Sequence, residues 1–291
     1  MPHDLPALVV AGCGYLGQQV VRLWQSRGGQ AWGLVSRPEQ ARLLQQSLHC
    51  PVEAADISSP AELRKLQQQG WFPNDRPTCV VHCASTRGGA VEAYTSVFLH
   101  GSQALVEVLQ PGQIVFTSST SVYEQTAGEW VREFPDPAPR SERGKVLCAA
   151  EQVILQAGGT VLRLSGIYGP GRSIYVKRVL EKAVPKDANP QRYVNQVHVC
   201  DAAEAILAAG TGQLESKAVY NVSDGNPVHL RELYQELASL LQQPLHFVEP
   251  AAGARRRGLT NKRVSIQTIE AQGWNPKIPN VEVAASRKLL S

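Results

Sequence analysis

Three glycines, Gly12, Gly14 and Gly17, stand in the run A-G-C-G-Y-L-G with G-x-G-x-x-G spacing. Each has a physical reason: a tight turn at the first, close approach of backbone to a pyrophosphate at the second, and close packing of helix on sheet at the third. An apolar run, LVVA, precedes them, and a helical pattern opens at Tyr15. The N–H groups of Tyr15, Leu16 and Gly17 therefore lie at a helix start, where a phosphate is attracted. This arrangement predicts a dinucleotide site.

Further contacts to that ligand follow from position. An NAD-preferring site usually carries Asp or Glu at the end of the second strand, and this chain has Ser36 followed by Arg37. Loss of the carboxylate removes its repulsion of a 2′-phosphate, and a guanidinium can bind that phosphate, so NADP is expected in preference to NAD. Arg42 stands about one helical turn further on. Asp56, after the third strand, has two readings: a partner for the adenine amino group, or a turn residue ahead of Ser59. Cys83, Ala84 and Ser85 follow the fourth strand, where small residues let the cofactor lie over the strand ends. His82 reads as a strand residue rather than a base.

The elements that hold these residues alternate. Strands are expected at Ala7–Ala11, at AWGLV ending in Val35, at VEAAD ending in Asp56, at Thr78–His82, Gln113–Thr117, Thr160–Leu164 and Val219–Ser223. Helices are expected at Tyr15–Arg27, Glu39–Gln46, Tyr94–Leu109, Val146–Leu155, Ile174–Lys182 and Leu230–Leu241. Ser59, Pro60 and Glu62 signal another helix start, and Asp201 with Glu204 reads as a capping box opening a further one. Alternation of this kind predicts an α/β Rossmann fold with a parallel sheet covered on both faces. The rhythm breaks after Tyr168. Residues 1–170, with 195–225 returning to them, are assigned to the Rossmann domain, and 171–194 with 226–291 to a smaller substrate-side lobe.

Composition excludes little. The chain has 291 residues, 43% hydrophobic and 19% charged, with a formal charge of +4. This suits a globular protein with mild attraction for anions. The six cysteines lack C-x-x-C spacing and several lie in apolar runs, as small buried hydrophobes do, so no metal site is expected. With no secretory or spanning segment apparent, a cytoplasmic location is expected. The basic run Arg255–Arg257 lacks interleaved aromatics, so nucleic acid is not expected as a partner, and no amphipathic basic helix points to a membrane.

Four segments carry a family resemblance: S-S-T-S-V-Y at Ser118–Tyr123, L-R-L-S-G-I-Y-G-P-G at Leu162–Gly171, V-H-V-C-D-A-A-E-A at Val197–Ala205, and Y-N-V at Tyr220–Val222. With the glycine motif they make the chain resemble the extended short-chain dehydrogenase/reductases, the group containing nucleotide-sugar epimerases and dehydratases. The resemblance spans nearly the whole chain and implies the fold, not a substrate. It places Ser118 beside the cofactor and makes Ser119 the active-centre serine. It also implies a Tyr-x-x-x-Lys pair on the next helix. With Glu151 matching the family glutamate of that helix, Arg143 falls at the Tyr position and Leu147 at the Lys position. The pair is missing, as in atypical members of the superfamily, and Phe98 stands where the family has a helix asparagine.

That loss matters because the Tyr moves the proton while the Lys lowers its pKa and grips the nicotinamide ribose. Arginine is a poor proton donor at neutral pH, and leucine donates nothing. Ser141 and Lys145 offer an alternative pair in a shifted helix, and Tyr123 and Tyr168 are remaining phenols. The catalytic candidates are therefore Ser119, Arg143 and Tyr168. By position, Arg87, Arg172, Arg192, Asn195, Asn261, Lys262 and Arg263 join them in facing a substrate, which so many cations would make anionic. The expected function is an NADP-binding oxidoreductase or nucleotide-sugar-epimerase-like protein acting on an anionic or hydroxylated small molecule. The alternative is a catalytically inactive NADP-binding or redox-sensing protein. By the resemblance, two copies would pair through the Tyr94 and Val146 helices.

Overall fold

The run Leu8-Val9-Val10 has no polar face, so it is stable only where both of its faces are covered. In the computed structural model, which describes residues 5–73, 78–86, 88–186, 189–249 and 260–286, it forms β1 (Ala7–Ala11), fully buried along its length. The strands β2 (Ala31–Val35), β3 (Val52–Ala54), β4 (Thr78–His82) and β5 (Gln113–Ser119) follow it. A short β6 (Glu129–Val131) lies outside the main sheet. Then come β7 (Thr160–Leu164), β8 (Gly166–Tyr168), β9 (Val184–Pro185), β10 (Tyr193–Val194), β11 (Gln196–His198) and β12 (Val219–Val222).

Seven of these strands form a parallel sheet in the order β12-β7-β5-β4-β1-β2-β3. β1 pairs with β2 on one side and β4 on the other. Chain order reverses at that point, which opens a crevice beyond the carboxyl ends of the two strands. The protein has the Rossmann fold, with a smaller lobe of strands and helices toward its C-terminus.

Helices cover both faces. α1 (Tyr15–Ser26) and α2 (Pro38–Leu48) fall within two residues of their expected bounds, and α3 (Pro60–Gln68) begins where its start signal puts it. Ser59 caps α3 by accepting the Glu62 N–H at 3.3 Å. Glu62 turns its own carboxylate to the Asp56 N–H at 2.8 Å, tying the end of the third strand to the helix. One face buries Leu8, Val10, Val20 and Trp24 against Ile206. The other buries Val9, Leu105 and Phe116 against Ile154.

The helix expected at Tyr94–Leu109 is broken into α4 (Val91–Tyr94), a π-helical stretch at Thr95–His100 and α5 (Gly101–Leu109). In the wider turn the Gly101 N–H reaches back to the Ser96 carbonyl. The Val97 carbonyl accepts from the His82 ring at 3.1 Å. Two further helices, α6 (Glu142–Gln156) and α7 (Ile174–Leu180), lead to α8 (Val199–Gly210). Asp201 does not cap α8 as expected. His198 does, through Nδ1 accepting from the Cys200 N–H at 3.2 Å. The Asp201 carboxylate accepts instead from the N–H groups of Lys277 and Ile278, at 3.1 and 2.9 Å, and so anchors the C-terminal lobe.

The lobe adds β13 (Val228–His229), α9 (Leu230–Leu241), β14 (Phe247–Val248) and β15 (Lys262–Val264), followed by α10 (Gln267–Ala271) and α11 (Val281–Ser286). Its own core gathers Tyr168, Val179, Leu233 and Leu237. The pair β6 with β15 joins it to the sheet domain. No helix among the described residues is long and apolar enough to cross a membrane.

Candidate functional site

The crevice at the reversal of chain order is a cleft of about 920 Å³. The glycine loop forms its floor. Gly12 turns with φ +92°, and a Cβ there would lie 2.2 Å from the Ala84 nitrogen. A Cβ on Gly17 would lie 2.6 Å from the Gly12 oxygen and 2.9 Å from a Val10 methyl. The protein itself therefore requires those two glycines. Gly14 differs, because a Cβ there would meet nothing nearer than the Gly12 oxygen at 4.0 Å. A Cβ at that position therefore has room in the free protein.

α1 begins at this loop without a side-chain cap and without an acidic residue in its first turn. Its first intrahelical bond runs from the Gln18 N–H to the Gly14 oxygen at 2.9 Å. The N–H groups of Tyr15, Leu16 and Gly17 thus precede the helix ladder and face an anion with the positive end of the helix dipole. Bare backbone at Gly14 and an uncapped helix end fit a pyrophosphate.

Most of the expected cofactor residues gather here. Gly12, Gly14, Tyr15, Leu16, Ser36, Arg37, Asp56, Cys83, Ala84, Ser85, Ser118 and Ser119 all line the cleft. Gly17 lies behind it as a packing residue. Asp56 is also the turn residue considered for it, since its carboxylate accepts from the N–H and hydroxyl of Ser58 at 2.9 and 2.7 Å. Ser118 donates inward to buried Glu151 at 2.5 Å. Ser119 accepts the Ser121 N–H at 3.1 Å, which leaves its own O–H to donate. Burial in apolar surroundings pushes the Cys83 thiol up to about 12, so it is a wall rather than a nucleophile.

The remaining catalytic candidates are dispersed. Arg143 does not line the cleft: it donates to the Gly89 carbonyl and lies over the Tyr94 ring, 5.2 Å from its centre. Tyr168 is buried in the lobe core against the His198 ring, and burial raises its pKa. Leu147 does line the cleft, 2% exposed, where the family lysine would stand. Lys145, the alternative, is an exposed partner of Glu142 at 2.6 Å. His82 is buried within an aromatic cluster, which pushes its pKa down to about 4.

The ring of cations expected on the substrate side is also reduced. Lys262 is buried and donates to the Tyr123 carbonyl at 2.9 Å. Arg263 is held between the rings of Trp130 and Tyr193. Asn195 and Asn261 brace β15 and β10, accepting from the N–H groups of Val264 and Tyr193. Arg172 does reach the cleft, over the Tyr15 ring at 5.1 Å. Arg87 and the run Arg255–Arg257 lie outside the described residues. Cleft residues that the sequence reading passed over include Tyr94, Val97, Ser165 and Ile167. Ser165 had a signal: it follows its strand as Cys83 follows β4.

With this geometry in hand, the sequence pattern of the NAD dependent epimerase/dehydratase family matches residues 7–223. The chain belongs to the NAD dependent epimerase/dehydratase family. A curated relative is short-chain dehydrogenase/reductase family 42E member 1 of Homo sapiens, 27% identical over 62% of this chain and 59% of the relative. The chain thus spans about three fifths of that relative's length. Among solved structures, the UDP-glucose 4-epimerase of Thermus thermophilus in complex with NAD superposes with a TM-score of 0.75 at 22% identity, covering 97% of this chain and 99% of that one. The dTDP-glucose 4,6-dehydratase of Bacillus anthracis in complex with NAD gives 0.76 at 18% identity, covering 97% of each chain.

These epimerase/dehydratase structures correct the expected cofactor. The preference for NADP over NAD, and the NADP-dependent function built on it, are overturned because these structures of the same fold were captured with NAD. The side chain that carried the expectation has a local explanation as well. Arg37 is exposed at the start of α2, where its guanidinium reaches Gln40 Oε1 at 3.5 Å. Lack of a carboxylate at Ser36 does not by itself create a phosphate site.

Proposed function

We propose that this family member binds NAD in the cleft and acts as an oxidoreductase or epimerase-like enzyme on a small hydroxylated, anionic substrate. The observation that carries the reading is the continuity of the cleft from the bare backbone at Gly14 to the donor hydroxyl of Ser119. In it, Gly12, Gly14, Tyr15 and Leu16 hold the pyrophosphate, Ser36 and Asp56 face the adenosine, and Cys83, Ala84, Ser85 and Ser118 lie under the nicotinamide half. NAD, when bound, supplies hydride transfer at the nicotinamide ring. Ser119 polarises the substrate oxygen, and Arg172 at the rim attracts the anionic part of the substrate.

Leu147 favours a second reading, an NAD-binding protein without turnover, because a buried leucine at the lysine position can neither hold the ribose nor tune a proton donor. Calorimetric titration of NAD, followed by absorbance at 340 nm and by chromatography of the products with a panel of sugar phosphates, sugar acids and nucleotide sugars, separates the two. Conversion, with or without net NAD reduction, that Ser119→Ala suppresses by about a hundredfold supports the enzyme. NAD binding with no turnover on any member of the panel supports the second reading, and absence of NAD binding ends both.

A further inference from the structure

Ser165 directly follows β7 and is 5% exposed. Its N–H is bonded to the Val222 carbonyl at 2.9 Å, which fixes the backbone there. Its hydroxyl finds no hydrogen-bond partner. The neighbouring hydroxyls of the same wall are engaged: Thr117 donates to the His82 carbonyl at 3.0 Å, Ser118 donates to Glu151, and Ser119 accepts from the Ser121 N–H. Four other buried side-chain atoms among the described residues also lack a partner, on His82, Ser102, Tyr168 and Trp274. None of those residues lines the cleft, and Ser165 does. Buried hydroxyls are nearly always satisfied, so one left over in a cleft wall marks the place of a ligand atom.

The sheet order says which part of the ligand. With the pyrophosphate over the end of β1, the adenosine half lies toward β2 and β3, where Ser36 and Asp56 stand. The other half must run the opposite way, over β4, β5 and β7. Ser165 ends the third strand in that direction, on the nicotinamide side of the sheet. The carboxamide is the polar group at the far end of that half of the cofactor. Across the cleft Leu147 offers no donor.

We propose that the Ser165 hydroxyl donates to the carboxamide oxygen of the NAD nicotinamide and fixes the orientation of that ring. The proposal rests on the NAD reading above. Ser165 thereby takes up at the ring part of the anchoring that is absent at the Leu147 position. It touches the cofactor and takes no part in moving a proton.

The test is a set of calorimetric titrations of wild type and Ser165→Ala with NAD, with ADP-ribose, which lacks nicotinamide, and with the thionicotinamide analogue, in which sulfur replaces the carboxamide oxygen. Wild type is expected to bind the analogue about fivefold more weakly than NAD, as expected when a neutral hydrogen bond is weakened. Ser165→Ala is expected to lose about the same factor toward NAD, to bind ADP-ribose as wild type does, and to bind NAD and its analogue equally. The ligand-free melting temperature should stay level or rise, because the hydroxyl removed has no protein partner. A wild type indifferent to the sulfur, a variant that binds NAD unchanged, or equal losses toward NAD and ADP-ribose overturns the proposal. So does a clear fall in ligand-free melting temperature. Wild type that binds neither NAD nor ADP-ribose would instead remove the cofactor reading itself.

Discussion

Glu151 and Arg163 form a two-pronged ion pair beneath Ser118, with Nη2 to Oε2 at 2.6 Å, Nε to Oε1 at 3.0 Å, and both side chains 2% exposed. Arg163 also donates to the Tyr123 hydroxyl at 2.9 Å, and Tyr123 donates to Asn221 Oδ1 at 2.9 Å. The network ties α6 to the ends of β5, β7 and β12, and so sets the wall on which Ser118, Ser119 and Ser165 stand. Glu151→Gln leaves a buried guanidinium without its counter-charge, and the expected loss is about 3–5 kcal/mol in urea unfolding. Replacing both members with apolar residues, Glu151→Leu with Arg163→Met, should recover most of that loss. A double variant as unstable as the single one would show that charge pairing is not what matters.

Gly12 and Gly14 should fail differently. Gly12→Ala drives a Cβ into the Ala84 backbone and strains a positive φ, so its thermal midpoint should fall by several degrees or more. Gly14→Ala has room in the free protein and should melt like wild type, while NAD binding weakens about tenfold or more as the methyl occupies the phosphate approach. Equal melting losses in the two variants would contradict the distinction.

Arg37 reaches Gln40 and is exposed. Arg37→Ala is therefore expected to leave NAD affinity within about threefold, the scale of an exposed polar contact. A loss of a hundredfold in the same titration would mean that the side chain leaves Gln40 to grip the cofactor.

Acid should weaken the fold through His82, whose pKa is pushed from 6.5 down to about 4 by burial. Above pH 6.5 the ring is neutral in both folded and unfolded chains, and this contribution is complete. Between pH 6.5 and 4 the unfolded chain takes a proton that the folded one refuses, so stability falls by as much as about 3 kcal/mol. His82→Gln keeps a donor for the Val97 carbonyl but does not titrate, and its urea midpoint should flatten over that window. A pH profile identical to wild type would assign the acid sensitivity elsewhere.

The ends of β1, β2, β4 and β7 and the start of α1 were legible in the sequence, because a continuous apolar run bounded by glycine and a helix-period pattern each satisfy only one kind of element. The glycine spacing located the tight turn that opens α1 for the same reason: its demands on φ and on space are local. The break at Thr95–His100, where the Val97 carbonyl accepts from the His82 ring of β4, was not legible, since that contact is made only in the fold.

The same limit applies to the rest of the site. Position under the family resemblance put Arg143, Tyr168 and a set of cations around a substrate. Packing sent Tyr168 into the lobe core, Arg143 to the Gly89 carbonyl and Lys262 to the Tyr123 carbonyl. A polar side chain has several possible partners, and the sequence does not say which of them comes within hydrogen-bond distance. The sequence by itself determined a Rossmann-type α/β chain with a glycine-rich turn opening its first helix. Tertiary structure decided which hydroxyls were engaged and which, at Ser165 in the cleft wall, was left without a protein partner, because satisfaction of a buried polar atom depends on neighbours brought together only by the fold.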